Sequence, residues 1–123
     1  MKFDIRDGVF GTELTVCYGG TVQEAMDEFN KEYKMSLETD EDHEEAFGFT
    51  IKIGPKNYIM YLKEFENGLD SGDIEMINHE SGHVAIMALK HVGMFDMSDA
   101  FAEAFLYVQA FFTRQIIGKI MEE

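Results

Sequence analysis

The sequence predicts an α+β domain, a small β-sheet with one N-terminal helix followed by a pair of longer helices. Two observations carry that fold class. Short runs rich in β-favouring residues come in two pairs, each joined by a turn-like segment. From about residue 73 onward, apolar side chains recur at helical spacing instead. The element order ββ-α-ββ-α-α suggests helices packed on one face of the sheet.

"MKFDI" and "TELTVCY" (12–18) read as two short strands, with "RDGVFG" as the turn between them. "GG" at 19–20 breaks the pattern, and Thr21 with Glu24 three residues on has the spacing of a helix-capping box. Val22, Ala25, Met26, Phe29 and Tyr33 then follow at helical spacing, which predicts an amphipathic helix over 22–35. "AFGFTIKI" (46–53) and "NYIMYLK" (57–63) form a second hairpin around Gly54-Pro55. Asp70, Ser71 and Asp73 compete to cap a helix over 73–92 that stops at Gly93, and a last helix spans 98–119. The chain is expected to be one domain, with 1–72 supplying the sheet and first helix and 73–119 the helix pair.

Composition narrows the function. There are 24 acidic residues against 10 basic ones, a formal net charge of −14, so phosphate backbones are repelled and nucleic acid is not an expected partner. Much of that charge lies in "ETDEDHEE" (38–45), read as a solvated loop in which His43 is a surface residue. The single cysteine, Cys17, rules out an internal disulfide and fits a reducing compartment. "MKFDIRDG" has no secretion signal, and "AFAEAFLYVQAFF" (100–112) is too short to span a membrane. The expected location is the cytoplasm.

The chemistry concentrates in "INHESGHVAIMAL", residues 77–89. His79 and His83 are four residues apart, so on a helix they lie about 40° apart around the axis with Cβ atoms about 5–6 Å apart. Two imidazoles so placed can meet at one ion, at about 2.0–2.1 Å each for zinc. Glu80 is offset along the same side, badly placed to be a ligand and well placed to touch a water beside the metal. Chance alone would supply H-E-x-x-H in roughly one or two shuffled chains per hundred, so the pattern needs support from elsewhere.

Glu103 is expected to give that support. It stands alone in "DAFAEAFLYVQAFF", where burying a carboxylate is costly without a partner. Arg114 is the nearest basic residue on the same helix, about three turns away. An antiparallel helix pair packs at about 8–10 Å, close enough for Glu103 to join His79 and His83 at one zinc ion. Three protein ligands with an open fourth position is a catalytic arrangement.

With His79-Glu80-Ser81-Gly82-His83 and a glutamate twenty residues beyond, the chain resembles the gluzincin metallopeptidases over residues 77–107. The run Glu103-Ala104-Phe105-Leu106-Tyr107 is similar to the E-A-x-x-Y helix of small phage-encoded metallopeptidase-like proteins, which implies the host cytoplasm if this chain is phage-encoded. The resemblance implies a minimal zincin-like domain, a zinc cofactor and a peptide or protein substrate, with Glu80 as general base. It departs from the thermolysin-like pattern where an aspartate is usual four residues after the glutamate ligand. Tyr107 stands there, and Tyr107 or Asp99 is expected to orient a ligand histidine instead. His91, Tyr58 and Tyr61 are the candidates for steadying an oxyanion. Gly82 is expected to admit a strand or the first helix at close range, and the methionines to fill the core. The alternative function is a metal-binding structural or morphogenesis-type protein with little hydrolysis.

Overall fold

The computed structural model describes residues 1–38, 47–94 and 98–122; His43, Met97 and all of the acidic run but Glu38 lie outside the described residues. In chain order the elements are β1 (Lys2–Arg6), β2 (Glu13–Tyr18), α1 (Val22–Tyr33), β3 (Gly48–Lys52), β4 (Asn57–Leu62), α2 (Ser71–His91) and α3 (Asp99–Met121). The strands form one four-stranded mixed sheet in the order β1-β2-β4-β3. Both expected hairpins are present, β1 with β2 and β3 with β4, each antiparallel. They join through a parallel pairing of β2 and β4, with Leu14 opposite Tyr58 and Val16 opposite Met60.

The helices do not share one face. Val22, Ala25, Met26 and Phe29 of α1 pack with Phe49, Ile59 and Tyr61 on one side of the sheet. Residues of α2 and α3, among them Ile77, Val84, Val108 and Phe112, pack with Leu14, Val16, Tyr58, Met60 and Leu62 on the other. The α+β class stands, and the one-sided layering is corrected to a sheet covered on both faces. Parallel strands cannot be joined by a tight turn, so the chain must cross over the sheet between β2 and β4. The segment that crosses carries α1, which covers the second face. The sequence held this signal in "YIMYL": every residue from Tyr58 to Leu62 is buried, which is the pattern of a strand covered on both sides.

Local chemistry sets the helix ends. The Thr21 hydroxyl accepts from the Glu24 amide at 3.1 Å and starts α1. For α2 the contest between caps goes to Asp70: its carboxylate accepts from the Asp73 amide at 2.9 Å, and Asp73 accepts from the Asp70 amide at 3.0 Å. Gly93, just beyond α2, has φ of +76°, a conformation open to glycine at little cost. Ser98 caps α3 by accepting from Phe101. On the α1 side, Lys2 pairs with Glu28 and Glu32 and ties β1 to α1; the hydrogen bond it donates to Glu32 holds the lysine's pKa above its ordinary value.

Two glycines let α2 sit close to its neighbours. A Cβ on Gly48 would lie 3.1 Å from the Tyr61 carbonyl oxygen and 3.2 Å from Met76 Sδ, so β3 has room for nothing larger where α2 passes. A Cβ on Gly82 would lie 3.1 Å from Gln109 Nε2, so the element that approaches Gly82 is α3, rather than a strand or α1. Gln109 donates to the Asn78 carbonyl at 3.0 Å, and the Thr113 hydroxyl donates to Asn78 Oδ1 at 3.1 Å. These polar contacts fix the register of α3 on α2.

The two glycines should respond differently to alanine. Gly48→Ala meets rigid backbone and should destabilise the fold by about 1–3 kcal/mol. Gly82→Ala meets the end of a flexible side chain; a helix-propensity gain of about 1 kcal/mol offsets one weakened hydrogen bond of similar size. Its net effect should stay within about 1 kcal/mol. Urea denaturation of both variants checks the order, and a larger loss for Gly82→Ala would contradict it.

Candidate metal centre

The α2 face that carries Ile77, Val84, Ala85, Ala88 and Leu89 is pinned to the sheet and α3. With that face fixed, the helical period leaves both histidines exposed and sends Glu80 into the contact with β3. His79 Nε2 and His83 Nε2 lie 3.2 Å apart, with ring centroids at 4.8 Å and planes at 85°. Two nitrogens bound to one tetrahedral zinc at 2.0–2.1 Å would be separated by about 3.3–3.4 Å. The pair therefore has nearly the bite that a single ion requires. Donor atoms of His79, Glu80 and His83 all lie within 4.8 Å of one another.

Glu80 is held differently from its neighbours. Only 5% of the residue is exposed, and its Oε1 accepts from the Thr50 hydroxyl of β3 at 2.7 Å. The other oxygen, Oε2, is 4.0 Å from His79 Nε2. One carboxylate oxygen is thus fixed by the sheet while the second faces the histidine pair. Thr50 is the residue that sequence reasoning missed. Its signal was slight: in "FTI", Phe49 and Ile51 point to the α1 side, so the alternation of a strand directs the threonine between them toward α2.

Glu103 is in a different setting from the one its apolar neighbours suggested. It is exposed on α3, so it needs no partner to offset burial, and it is not a member of the trio gathered within 4.8 Å. The reason lies in the register of the helix pair. Gln109 faces α2, and Glu103, six residues earlier, sits about 120° around the helix from it. Phe105, Val108 and Phe112 take the inward positions, which leaves Glu103 on the outer surface.

The remaining candidates separate by face. Tyr61 lies on the α1 side and donates its hydroxyl to the Gly20 carbonyl at 2.9 Å, across the sheet from the histidines. Tyr58 is on the α2 side but 1% exposed, its hydroxyl without a partner among the described residues; burial pushes the phenol pKa up. His91 is exposed in the last turn of α2, two turns beyond His83. Tyr107 is half exposed and stacks on Phe111 at 6.3 Å, and Asp99 lies in the first turn of α3. Cys17 packs on the α1 side, where burial raises its thiol pKa, so the sheet separates it from the histidine pair.

No family model, curated protein or solved structure matches the chain. No helix among the described residues is long and apolar enough to cross a membrane.

Thr50→Val keeps the shape of the side chain and removes the donor from a buried carboxylate. Losing a hydrogen bond to a charged group should cost about 1.5–3 kcal/mol in chemical denaturation. Glu80→Gln keeps an acceptor for Thr50 and should change stability by less than about 1 kcal/mol. Equal losses in the two variants would mean that Thr50 does not hold the carboxylate in solution.

Proposed function

We propose that the protein is a zinc-dependent peptidase of the HExxH type, with His79 and His83 as metal ligands and Glu80 as general base. The observation that carries this reading is the 3.2 Å convergence of the two Nε2 atoms beside a carboxylate with one fixed and one free oxygen. Histidine nitrogens and a carboxylate are the donor set that zinc favours. When bound there, zinc would supply Lewis-acid chemistry, polarising a carbonyl and making a water more acidic. Glu103 is the proposed third ligand, its exposed side chain turning from the outer surface of α3 toward the histidine pair when the ion binds.

The protein's own groups do the proton work. Glu80 Oε2 takes the proton of the attacking water and delivers it to the nitrogen of the leaving amine. Thr50, bonded to Oε1, keeps the carboxylate from swinging toward solvent, so the free oxygen meets the same place in every turnover. The substrate peptide lies along β3. This strand is at the sheet edge, next to the α2 segment that carries Glu80, and an edge strand offers unpaired backbone groups to an extended peptide. If the chain is phage-encoded, as its resemblance to small phage metallopeptidase-like proteins implies, this activity belongs in a host cytoplasm.

The bond from Thr50 favours one further reading. A buried glutamate that ties α2 to β3 also suits a metal-binding structural protein with little hydrolysis, in which Glu80 serves the fold.

Hydrolysis of a quenched-fluorescence peptide library by the zinc-loaded protein separates the two. Glu80→Gln should retain zinc and lose at least about 100-fold in rate, the scale of general-base catalysis. Undiminished cleavage would remove Glu80 as the base, and a wild type that cleaves nothing would favour the structural reading. Glu103→Ala should weaken zinc binding at least about tenfold, in the range seen for removing groups that support a metal. Unchanged affinity would remove Glu103 from the ligand set.

A further inference from the structure

A cavity of about 430 Å³ lies between the end of β4 and the first turns of α2, within the size range of ligand sites, about 300–1,000 Å³. Its floor is apolar, built from Leu62, Phe65, Met76 and Ile77. Its mouth is acidic, with Glu64, Glu66, Asp70 and Asp73. None of these four carboxylates has an ion-pair partner among the described residues. One cation, Lys63, also lines the cavity: its ammonium sits 4.8 Å from the centroid of the ring of Phe47, another lining residue, and among the described residues it makes no ion pair with the four carboxylates. Nor does the start of α2 offer its amides to an anion, because Asp70 and Asp73 cap it reciprocally.

We propose that this cavity binds a long cationic side chain, arginine or lysine, of an extended peptide lying on β3. An apolar floor beneath carboxylates that lack a cationic partner suits a side chain with a hydrocarbon stem and a charged head. A neutral apolar side chain would leave Glu64 and Glu66 without a partner, and an acidic one would be repelled. The formal charge of −14 acts in the same direction, drawing basic peptides to the protein as a whole.

Position links the cavity to the candidate centre. Met76, in the cavity wall, precedes Glu80 by four residues, about 6 Å along α2. Met76 is also the side chain that packs against Gly48 at the start of β3, while Thr50, two residues on, holds Glu80. Two strand residues span about 6.6 Å, so one extended peptide on the β3 edge passes both places. The basic residue then falls within about two or three positions of the bond presented to the histidines. The peptide and its placement rest on the peptidase reading; the charge preference of the cavity does not.

The test compares two labelled peptides by fluorescence anisotropy, acetyl-Ala-Ala-Arg-Ala-Ala and the same peptide with norleucine in place of arginine. Binding is measured on zinc-loaded Glu80→Gln protein, so that cleavage does not interfere. Arginine should bind about tenfold tighter, the size of one charge-assisted hydrogen bond. Glu64→Gln with Glu66→Gln should reduce the preference to about twofold or less. Removing the same charge far away, with Glu13→Gln and Asp27→Asn, should leave it intact. Equal binding of the two peptides, no binding of either, or the same drop in the remote variant would overturn the proposal. If the wild type cleaves neither peptide but the local preference remains, the peptidase reading fails and the cavity assignment survives.

Discussion

The candidate centre depends on how closely α2 lies against β3. That distance is set by Gly48, whose missing side chain lets Met76 pack against the strand, and by the hydrogen bond from Thr50 to Glu80 one turn later. Together they fix both the height and the rotation of the helix. Rotation matters most, because the histidines lie within about 40° of each other and a modest turn would bury one of them. With Glu80 held inward, His79 and His83 remain in water with their Nε2 atoms converging.

The same contact gives Glu80 one task in the fold and, in the proposed function, a second. A buried carboxylate is costly to the fold unless it is bonded, and Thr50 supplies that bond from the sheet. It uses only one oxygen and leaves the other, Oε2, beside His79. A glutamate in open solvent would sample many rotamers and meet a water in few of them. In the proposed function, the constraint that stabilises the domain would also reduce the motion of the base, so one side chain would serve both the fold and the chemistry.

Much of this architecture was legible in the residues. The hairpins followed from β-rich runs around glycine turns and the cap at Thr21 from a short polar side chain before helical periodicity, while Asp70 was one of three candidates until its reciprocal bond with Asp73 decided between them. The histidine pair followed from its four-residue spacing. The layering was misjudged because the element order suggested one helical layer, whereas the unbroken apolar run of β4 implied two. The setting of Glu103 was misjudged for a related reason. Apolar neighbours in sequence are not neighbours in space on a helix, where the next residues point elsewhere: Phe105, Val108 and Phe112 turn inward while Glu103 turns out. Thr50 was hidden because its partner is thirty residues away and no local pattern joins them.

The central claim is that the two converging imidazoles form a metal site. Zinc titration calorimetry at neutral pH on the metal-stripped protein, beside the His79→Ala and His83→Ala double variant, tests it most directly. The account predicts about one zinc per wild-type chain, heat that depends on both histidines, and no stoichiometric binding by the double variant. A wild type that takes up no stoichiometric zinc, or a double variant that binds as tightly, would contradict it.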